Sequence, residues 1–213
     1  VLVNSADDKG TAQVDFSNGF GNLNAYNALT NILQKRYWQD SVGKREIRRL
    51  TITVPQNISN LKVTIAWSDV AADANAAKAL MNDLNATLHL GGQTWQPWIL
   101  DHAADKSALQ QPAIRGKDTL NNIEQITIDN PLAGDYELVI DGASIQTSGQ
   151  AFAVAYQFDT ARTFTFIYPT VRDAITSGSS QIIKWQTTFH ESAVLEYTTN
   201  GTDWQTIKEG VEV

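Results

Sequence analysis

Leu61-Lys62-Val63-Thr64-Ile65-Ala66-Trp67 is the stretch that decides the fold. Leu61, Val63, Ile65 and Trp67 occupy every second position, with Lys62 and Thr64 between them. Successive side chains of a strand point to opposite faces of a sheet, so this pattern marks a strand with one buried face. A helix would repeat its apolar positions every three to four residues, and this stretch does not.

The same alternation recurs on both sides. It runs over residues 48–54, ending at Pro55, and over Leu84-Asn85-Ala86-Thr87-Leu88-His89-Leu90. It returns in Ile123-Glu124-Gln125-Ile126-Thr127-Ile128, Tyr136-Glu137-Leu138-Val139-Ile140 and Phe152-Ala153-Val154-Ala155-Tyr156. Gly, Asn, Asp and Pro separate these runs. Many short alternating strands with such turns predict a mainly β chain built as a β-sandwich.

Only one segment has helical spacing. Leu23, Tyr26, Ala28, Leu29, Ile32 and Leu33 follow the tight turn Gly19-Phe20-Gly21, and Asn24 is a good N-cap. A helix from about 24 to about 35 is expected. Toward the other end, Asp159-Thr160-Ala161-Arg162 reads as a linker. Strands return around 164–167, 182–186, 194–198 and 204–207, and Asn200-Gly201 signals a hairpin turn. This last stretch reads as an immunoglobulin-like or fibronectin-like β module. Such sandwiches need nearer ~100 residues, so the module is expected to be partial.

Composition narrows the function. The chain has 213 residues, 42% hydrophobic and 18% charged, with a formal net charge of −7. An acidic balance argues against a nucleic-acid surface, which needs clustered Lys and Arg. Lys44, Arg45, Arg48 and Arg49 form the single basic cluster and read as a solvated strand edge. The chain has no cysteine, which excludes disulfides and thiolate metal sites. No apolar run reaches the ~18 residues of a membrane span. No signal peptide opens the sequence, and a start at Val1 without Met suggests a processed or excised piece.

Hydrolytic chemistry needs a nucleophile, a base and a group that orients the base. The three histidines are His89, inside an alternating strand, His102, in a loop, and His190, in a turn. No serine stands in a Gly-x-Ser-x-Gly or Gly-Thr-Ser context. Zinc spacings are absent too. Asp7-Asp8-Lys9-Gly10 is loop-like but lacks the ligand pattern of an EF-hand. Oxygen ligands gather at strand ends instead: Asp69 after Trp67-Ser68, Asn82-Asp83 before the next strand, and Asn121-Asn122 with Glu124 before a third. Should these ends meet, Asp69, Asn82, Asp83 and Glu124 offer oxygens to Ca²⁺, which takes six to eight. The competing reading is that they cap turns and strand ends through backbone N–H groups. Trp95 and Trp98, flanking Pro97, present a similar choice. Exposed tryptophans stack on sugars, whereas buried ones pack a sandwich.

Several of these residues also form an ordered set. Val1-Leu2-Val3-Asn4-Ser5-Ala6 resembles the end of the helix that follows the catalytic serine in subtilisin-like serine peptidases. Asn18-Gly19-Phe20-Gly21-Asn22-Leu23-Asn24-Ala25-Tyr26-Asn27-Ala28-Leu29 resembles the Gly-x-Gly-x-x-Asn-Ala segment that closes their catalytic domain. Residues 54–138, through Trp67-Ser68-Asp69, Asn82-Asp83-Leu84, Asn121-Asn122-Ile123-Glu124 and Asn130-Pro131-Leu132-Ala133-Gly134-Asp135-Tyr136-Glu137-Leu138, are similar to the jelly roll that follows it in bacterial members. That jelly roll is related in architecture to the P-domain of proprotein convertases.

The resemblance covers residues 1–158 and implies three parts. Residues 1–36 would be a catalytic-domain remnant, 37–160 a P-domain-like jelly roll and 161–213 a partial appended module. The family's catalytic Asp, His and Ser lie upstream of the matched segment, so the chain alone is expected to be inactive. It is expected to be a non-catalytic accessory region of a secreted or cell-surface bacterial endopeptidase. Its partners would be the upstream catalytic domain of the same polypeptide and that enzyme's protein substrate. The helix would then carry a face meant for that domain, and would either pack it on the jelly roll or expose it. Some members bind calcium in the jelly roll, which directs attention to Asp69, Asn82, Asp83 and Glu124. A reading of a different class is a stand-alone secreted module binding carbohydrate or protein through Trp95 and Trp98.

Overall fold

The computed structural model describes residues 1–160, 163–187 and 189–213. These form two compact units, Val1–Phe158 and Asp159–Val213. Residues 1–36 belong to the first unit.

In that unit a looped N-terminal segment leads into α1 (Ala25–Leu33). Asn24 caps the helix, its side-chain oxygen accepting the Asn27 N–H at 2.9 Å. The strands follow as β1 (Tyr37–Val42), β2 (Ile47–Val54), β3 (Ile58–Ala66), β4 (Asp83–Leu90) and β5 (Gln93–Trp95). Then come β6 (Trp98–Ile99), β7 (Ile114–Arg115), β8 (Ile123–Asp129), β9 (Gly134–Ser144) and β10 (Gln150–Thr160).

Two four-stranded sheets carry eight of these strands, ordered β1-β10-β3-β8 and β2-β9-β4-β5, while β6 pairs with β7. The antiparallel pairs β1/β10, β2/β9, β3/β8 and β4/β5 join the first of the eight to the last, the second to the seventh, and so inward. Such nesting is one long hairpin wrapped so that its rungs fall alternately in two sheets, the strand order of a jelly roll.

The alternation in sequence explains which faces meet. Leu61, Val63 and Ile65 of β3 are buried in the core with Ile126 of β8, Leu84, Ala86 and Leu88 of β4, and Tyr136, Leu138 and Ile140 of β9. The intervening residues of β3, β8 and β10 face outward, toward the N-terminal segment. There Lys62 Nζ donates to Ala6 O at 2.7 Å, Thr127 Oγ1 to Gln13 Oε1 at 2.8 Å, and Asn31 Nδ2 to Gln157 Oε1 at 3.1 Å. The sheet β1-β10-β3-β8 is therefore covered on both faces over part of its width.

The basic cluster lies at the β1–β2 turn and on β2, an edge strand. Arg48 pairs with Asp40 at 3.4 Å and Glu46 at 3.1 Å, and Arg49 with Glu137 at 3.3 Å.

The second unit holds two antiparallel pairs among its described residues. β11 (Phe164–Tyr168) pairs with β12 (Lys184–Thr187), and β13 (Ser192–Tyr197) with β14 (Gln205–Glu212). Between β13 and β14, the Asn200 side-chain oxygen accepts the Thr202 and Asp203 N–H groups, both at 2.9 Å, so the hairpin loop is longer than a two-residue turn. Phe164 meets Phe166 edge-on at 4.9 Å, yet Ile182, Val194, Trp204 and Ile207 stay exposed. Of the expected linker, Asp159 and Thr160 close β10, and Ala161 and Arg162 lie outside the described residues. No helix is long and apolar enough to cross a membrane among the described residues.

Candidate functional site

The four predicted oxygen ligands divide into two pairs. Asp69 lies just beyond β3 and turns both carboxylate oxygens on the backbone. Oδ2 accepts the Met81 N–H at 2.6 Å, and Oδ1 accepts those of Asn82 and Val70, each at 2.9 Å. Asn82 is wholly buried. Its Oδ1 accepts from Gln146 N at 2.8 Å and Thr147 N at 3.3 Å, while Nδ2 donates to Gln150 Oε1 at 2.8 Å and Thr147 Oγ1 at 3.0 Å. The Asn82 carbonyl accepts the Trp67 indole N–H at 2.9 Å. Asp69 and Asn82 thus hold the loop before β4 against the ends of β3, β9 and β10, in the manner of the capping reading.

Asp83 and Glu124 are different. Lys78 Nζ donates to Asp83 Oδ2 at 3.1 Å, but Asp83 Oδ1 is buried without a partner. Glu124 is 2% exposed. Its Oε2 accepts the Ala86 N–H at 2.7 Å, and its Oε1 has no partner. The reason is topological. β5 ends opposite Leu88, where Trp95 pairs with it, so the ladder no longer serves Ala86 on that edge and the glutamate takes the strand's place. Burial is the main cause that pushes the Glu124 carboxyl up to about 8. The Ala86 N–H and Lys117 oppose that rise, and the charges of Asp118 and Asp83 add to it.

Sequence reasoning missed Asn85, which joins this set. Both of its side-chain polar atoms are buried and unpartnered. Asn85 sits across β4 and β9 from Asp141. A cavity of about 270 Å³ opens beside them where β5 stops, lined by Asn85, Gln96, Lys117, Glu124 and Asp141 among others. Asn85 falls at a polar position of an alternating strand, which ordinarily means solvent, and nothing in the spacing distinguishes it. Buried carboxylate and amide oxygens left without donors suit a hard cation, which takes such ligands. No group of three or more His, Cys, Asp or Glu side chains able to hold a metal is present among the described residues. Any such cation would therefore take amide or water oxygens in addition to Asp83 and Glu124.

Asn121 and Asn122 serve the backbone instead. Asp118 accepts the Leu120 and Asn121 N–H groups at 2.8 and 3.0 Å and the Asn121 amide at 2.8 Å. Asn122 Nδ2 donates to Trp67 O at 2.8 Å.

The tryptophans are both half-buried. Trp95 packs on Tyr136, ring centroids 5.6 Å apart, at the margin of the core. Trp98 donates its indole N–H to Thr127 Oγ1 at 2.8 Å, and the Arg115 guanidinium lies 3.8 Å from its ring centroid. Arg115 in turn donates to Gln96 O at 2.8 Å and to Thr127 O. The two rings therefore have structural neighbours and form no open row.

His89 sits between the Thr87 and Thr94 hydroxyls at 2.8 and 3.0 Å, and His102 and His190 are exposed. No serine hydroxyl bonds a histidine among the described residues.

One more surface concerns partners. Helix α1 buries Ala28 and Asn31 against the sandwich. Its apolar residues Tyr26, Leu29, Ile32 and Leu33 are exposed, Leu33 at 73%. An amphipathic helix ordinarily turns that stripe inward. No protein-family model matches the chain, and no curated protein matches it either.

Proposed function

We propose that this chain is a non-catalytic accessory region of a secreted or cell-surface subtilisin-like serine endopeptidase of bacterial type. Its role is to brace that enzyme's catalytic domain and to border the path of its protein substrate. The observation that carries the reading is the orientation of α1. A polar residue, Asn31, is buried on the jelly roll, while Tyr26, Leu29, Ile32 and Leu33 face away from it. That inversion is what a helix does when its apolar stripe belongs to another partner. The order of the segments supports the same reading, since the resemblance places α1 at the close of a catalytic domain and the jelly roll directly after it.

The purified chain is expected to leave casein intact. Turnover that survives repurification to constant specific activity overturns the reading. Fusing the chain to a subtilisin-like catalytic domain through residues preceding Val1 should raise that domain's melting temperature, and Leu29→Asp should remove the gain.

A calcium ion accompanies this reading, held by Asp83, Asn85 and Glu124. Their orphaned buried oxygens support it. The ion would supply charge to a cluster that otherwise keeps a carboxyl group protonated, and would tie β4 to β8.

A further inference from the structure

Asn-Gly occurs at Asn18-Gly19 and again at Asn200-Gly201. In such a pair the glycine nitrogen can close a five-membered ring onto the asparagine Cγ, because no glycine side chain stands in the way. The attack is intramolecular, so the local geometry decides its rate.

The two pairs are held differently. Gly19 N donates to Asp15 O at 2.9 Å, and Gly19 O accepts the Asp15 N–H at 3.1 Å, a closed backbone bridge. Asn18 Nδ2 is held on the Asp15 carboxylate at 3.2 and 3.3 Å. Turning the Gly19 nitrogen onto Asn18 Cγ would break that bridge. The Gly201 N–H instead donates to the Thr198 hydroxyl at 3.0 Å, a side chain that can rotate away. Asn200 and Gly201 are exposed, and Gly201 lies at φ 79° with nothing within 4 Å of the place a Cβ would take.

The Asn200 carboxamide is also polarised. Its Oδ1 accepts from the Thr202 and Asp203 N–H groups at 2.9 Å each and from the Thr198 hydroxyl at 3.0 Å. Donors so placed stabilise the negative charge that an attacked carbonyl oxygen develops. Nδ2, the group that would leave, donates to Asp203 Oδ2 at 2.6 Å.

We propose that Asn200 is a self-modification site, at which the Gly201 nitrogen displaces the side-chain nitrogen as ammonia and water then leaves an acid at position 200. The bond from Gly201 N to Asn200 Cγ forms, and the Cγ–Nδ2 bond breaks. The proton lost by Gly201 N passes through solvent to the leaving nitrogen. Water opens the cyclic imide at either carbonyl, giving aspartate or isoaspartate. The product undoes the turn that makes it. A carboxylate replaces the amide that donated to Asp203 Oδ2, so two like charges face each other. Isoaspartate also lengthens the backbone by a methylene. Among the described residues β13 and β14 form a sheet of two strands, and a two-stranded hairpin depends on its turn. The site lies in the second unit and does not depend on the accessory role of the first.

Ageing the intact chain in mildly alkaline buffer, then mapping its peptides by mass spectrometry and isoaspartyl methyltransferase labelling, tests this. Conversion at Asn200 should be at least about tenfold faster than at Asn18. In urea, where neither pair keeps its native geometry, the two rates should come within about threefold of each other. Asn200→Asp should reproduce one product: amide hydrogen exchange should quicken in β13 and β14 and stay unchanged in Val1–Phe158. Equal rates at the two pairs in the folded chain, a tenfold ratio that persists in urea, or unaltered exchange in Asn200→Asp each overturns the proposal.

Discussion

Glu124 reaches from β8, at the edge of one sheet, to accept the Ala86 N–H of β4 in the other at 2.7 Å. A side chain there replaces a missing strand. The price is a carboxyl group in the interior with one oxygen unpartnered, and its pKa rises to about 8 as a result. In the unfolded chain the same group titrates near the ordinary glutamate value of 4.5. Below that value both states bind the proton. Between the two values only the folded state does, so stability falls as pH rises from about 4.5 to about 8. The contribution has an upper bound of about 5 kcal/mol. Chemical unfolding in EDTA should show this loss, and Glu124→Gln, neutral at every pH, should flatten the slope. A wild-type curve no steeper than that of Glu124→Gln contradicts the account.

Calcium reverses the argument at the same atoms. A cation on Asp83, Asn85 and Glu124 would favour the ionised carboxylates and would bind only the native arrangement. At a concentration 100 times its dissociation constant it would add about 2.7 kcal/mol. For a chain of this size that is a rise in Tm of about 5 °C or more. Differential scanning calorimetry with calcium and with EDTA should show the difference, and Asp83→Asn should shrink it. Superimposable scans in the two buffers would leave Asp83 and Glu124 as purely structural acids.

Asn82 makes the opposite kind of prediction, because nothing about it waits for a ligand. Four hydrogen bonds engage its side chain and all of it is buried. Asn82→Ala leaves the Gln146 and Thr147 N–H groups, the Thr147 hydroxyl and the Gln150 side-chain Oε1 without these partners. The expected loss is about 2–4 kcal/mol. It should be the same with calcium and with EDTA. A loss confined to calcium buffer would return Asn82 to the ligand set.

These contrasts mark where the sequence could be read and where it could not. Period-two alternation located β2, β3, β4, β8, β9 and β10, because burial on one face imprints itself on every second residue. Asn24 and the apolar spacing after it located α1. β1 was missed: in Tyr37-Trp38-Gln39-Asp40-Ser41-Val42 the apolar period is broken by Asp40, which turns to Arg48. β5, β6 and β7 are too short to carry a period. The candidate site suffered from a different cause. Asp69, Asn82, Asp83 and Glu124 all bring side-chain oxygens to strand ends, and the burial of Glu124 on the Ala86 N–H depends on where β5 stops. That boundary is a property of the pairing, and local pattern does not encode it.

The exposed stripe of α1 predicts a variant that is stable and more soluble. Tyr26, Leu29 and Leu33 are each about half exposed or more. Converting Leu29 and Leu33 to Glu should change Tm by about 1 °C or less. Self-association measured by sedimentation should weaken. Asn31→Ala, on the buried side, should instead cost about 1–3 kcal/mol by removing the buried hydrogen bond from Asn31 Nδ2 to Gln157 Oε1. If the Leu29 and Leu33 variants destabilise the fold more than Asn31→Ala, the helix is using its apolar face internally, and the accessory-region reading loses its main support.

Trp98 decides between that reading and a stand-alone carbohydrate-binding module. Its indole bonds Thr127, its ring lies under Arg115, and Arg115 reaches two backbone carbonyls. Removing the ring should therefore loosen the β6–β7 ribbon and free Arg115, a loss of about 2–4 kcal/mol for Trp98→Ala. A sugar-stacking tryptophan behaves otherwise, since its removal abolishes binding and barely touches stability. The measurement is a pair: the melting curve of Trp98→Ala beside glycan-array binding of both the wild-type chain and the variant. A large fall in Tm with no glycan bound is expected. An unchanged Tm with lost glycan binding would make the ring a ligand platform and leave the outward face of α1 to be explained as a surface for that module's own partners.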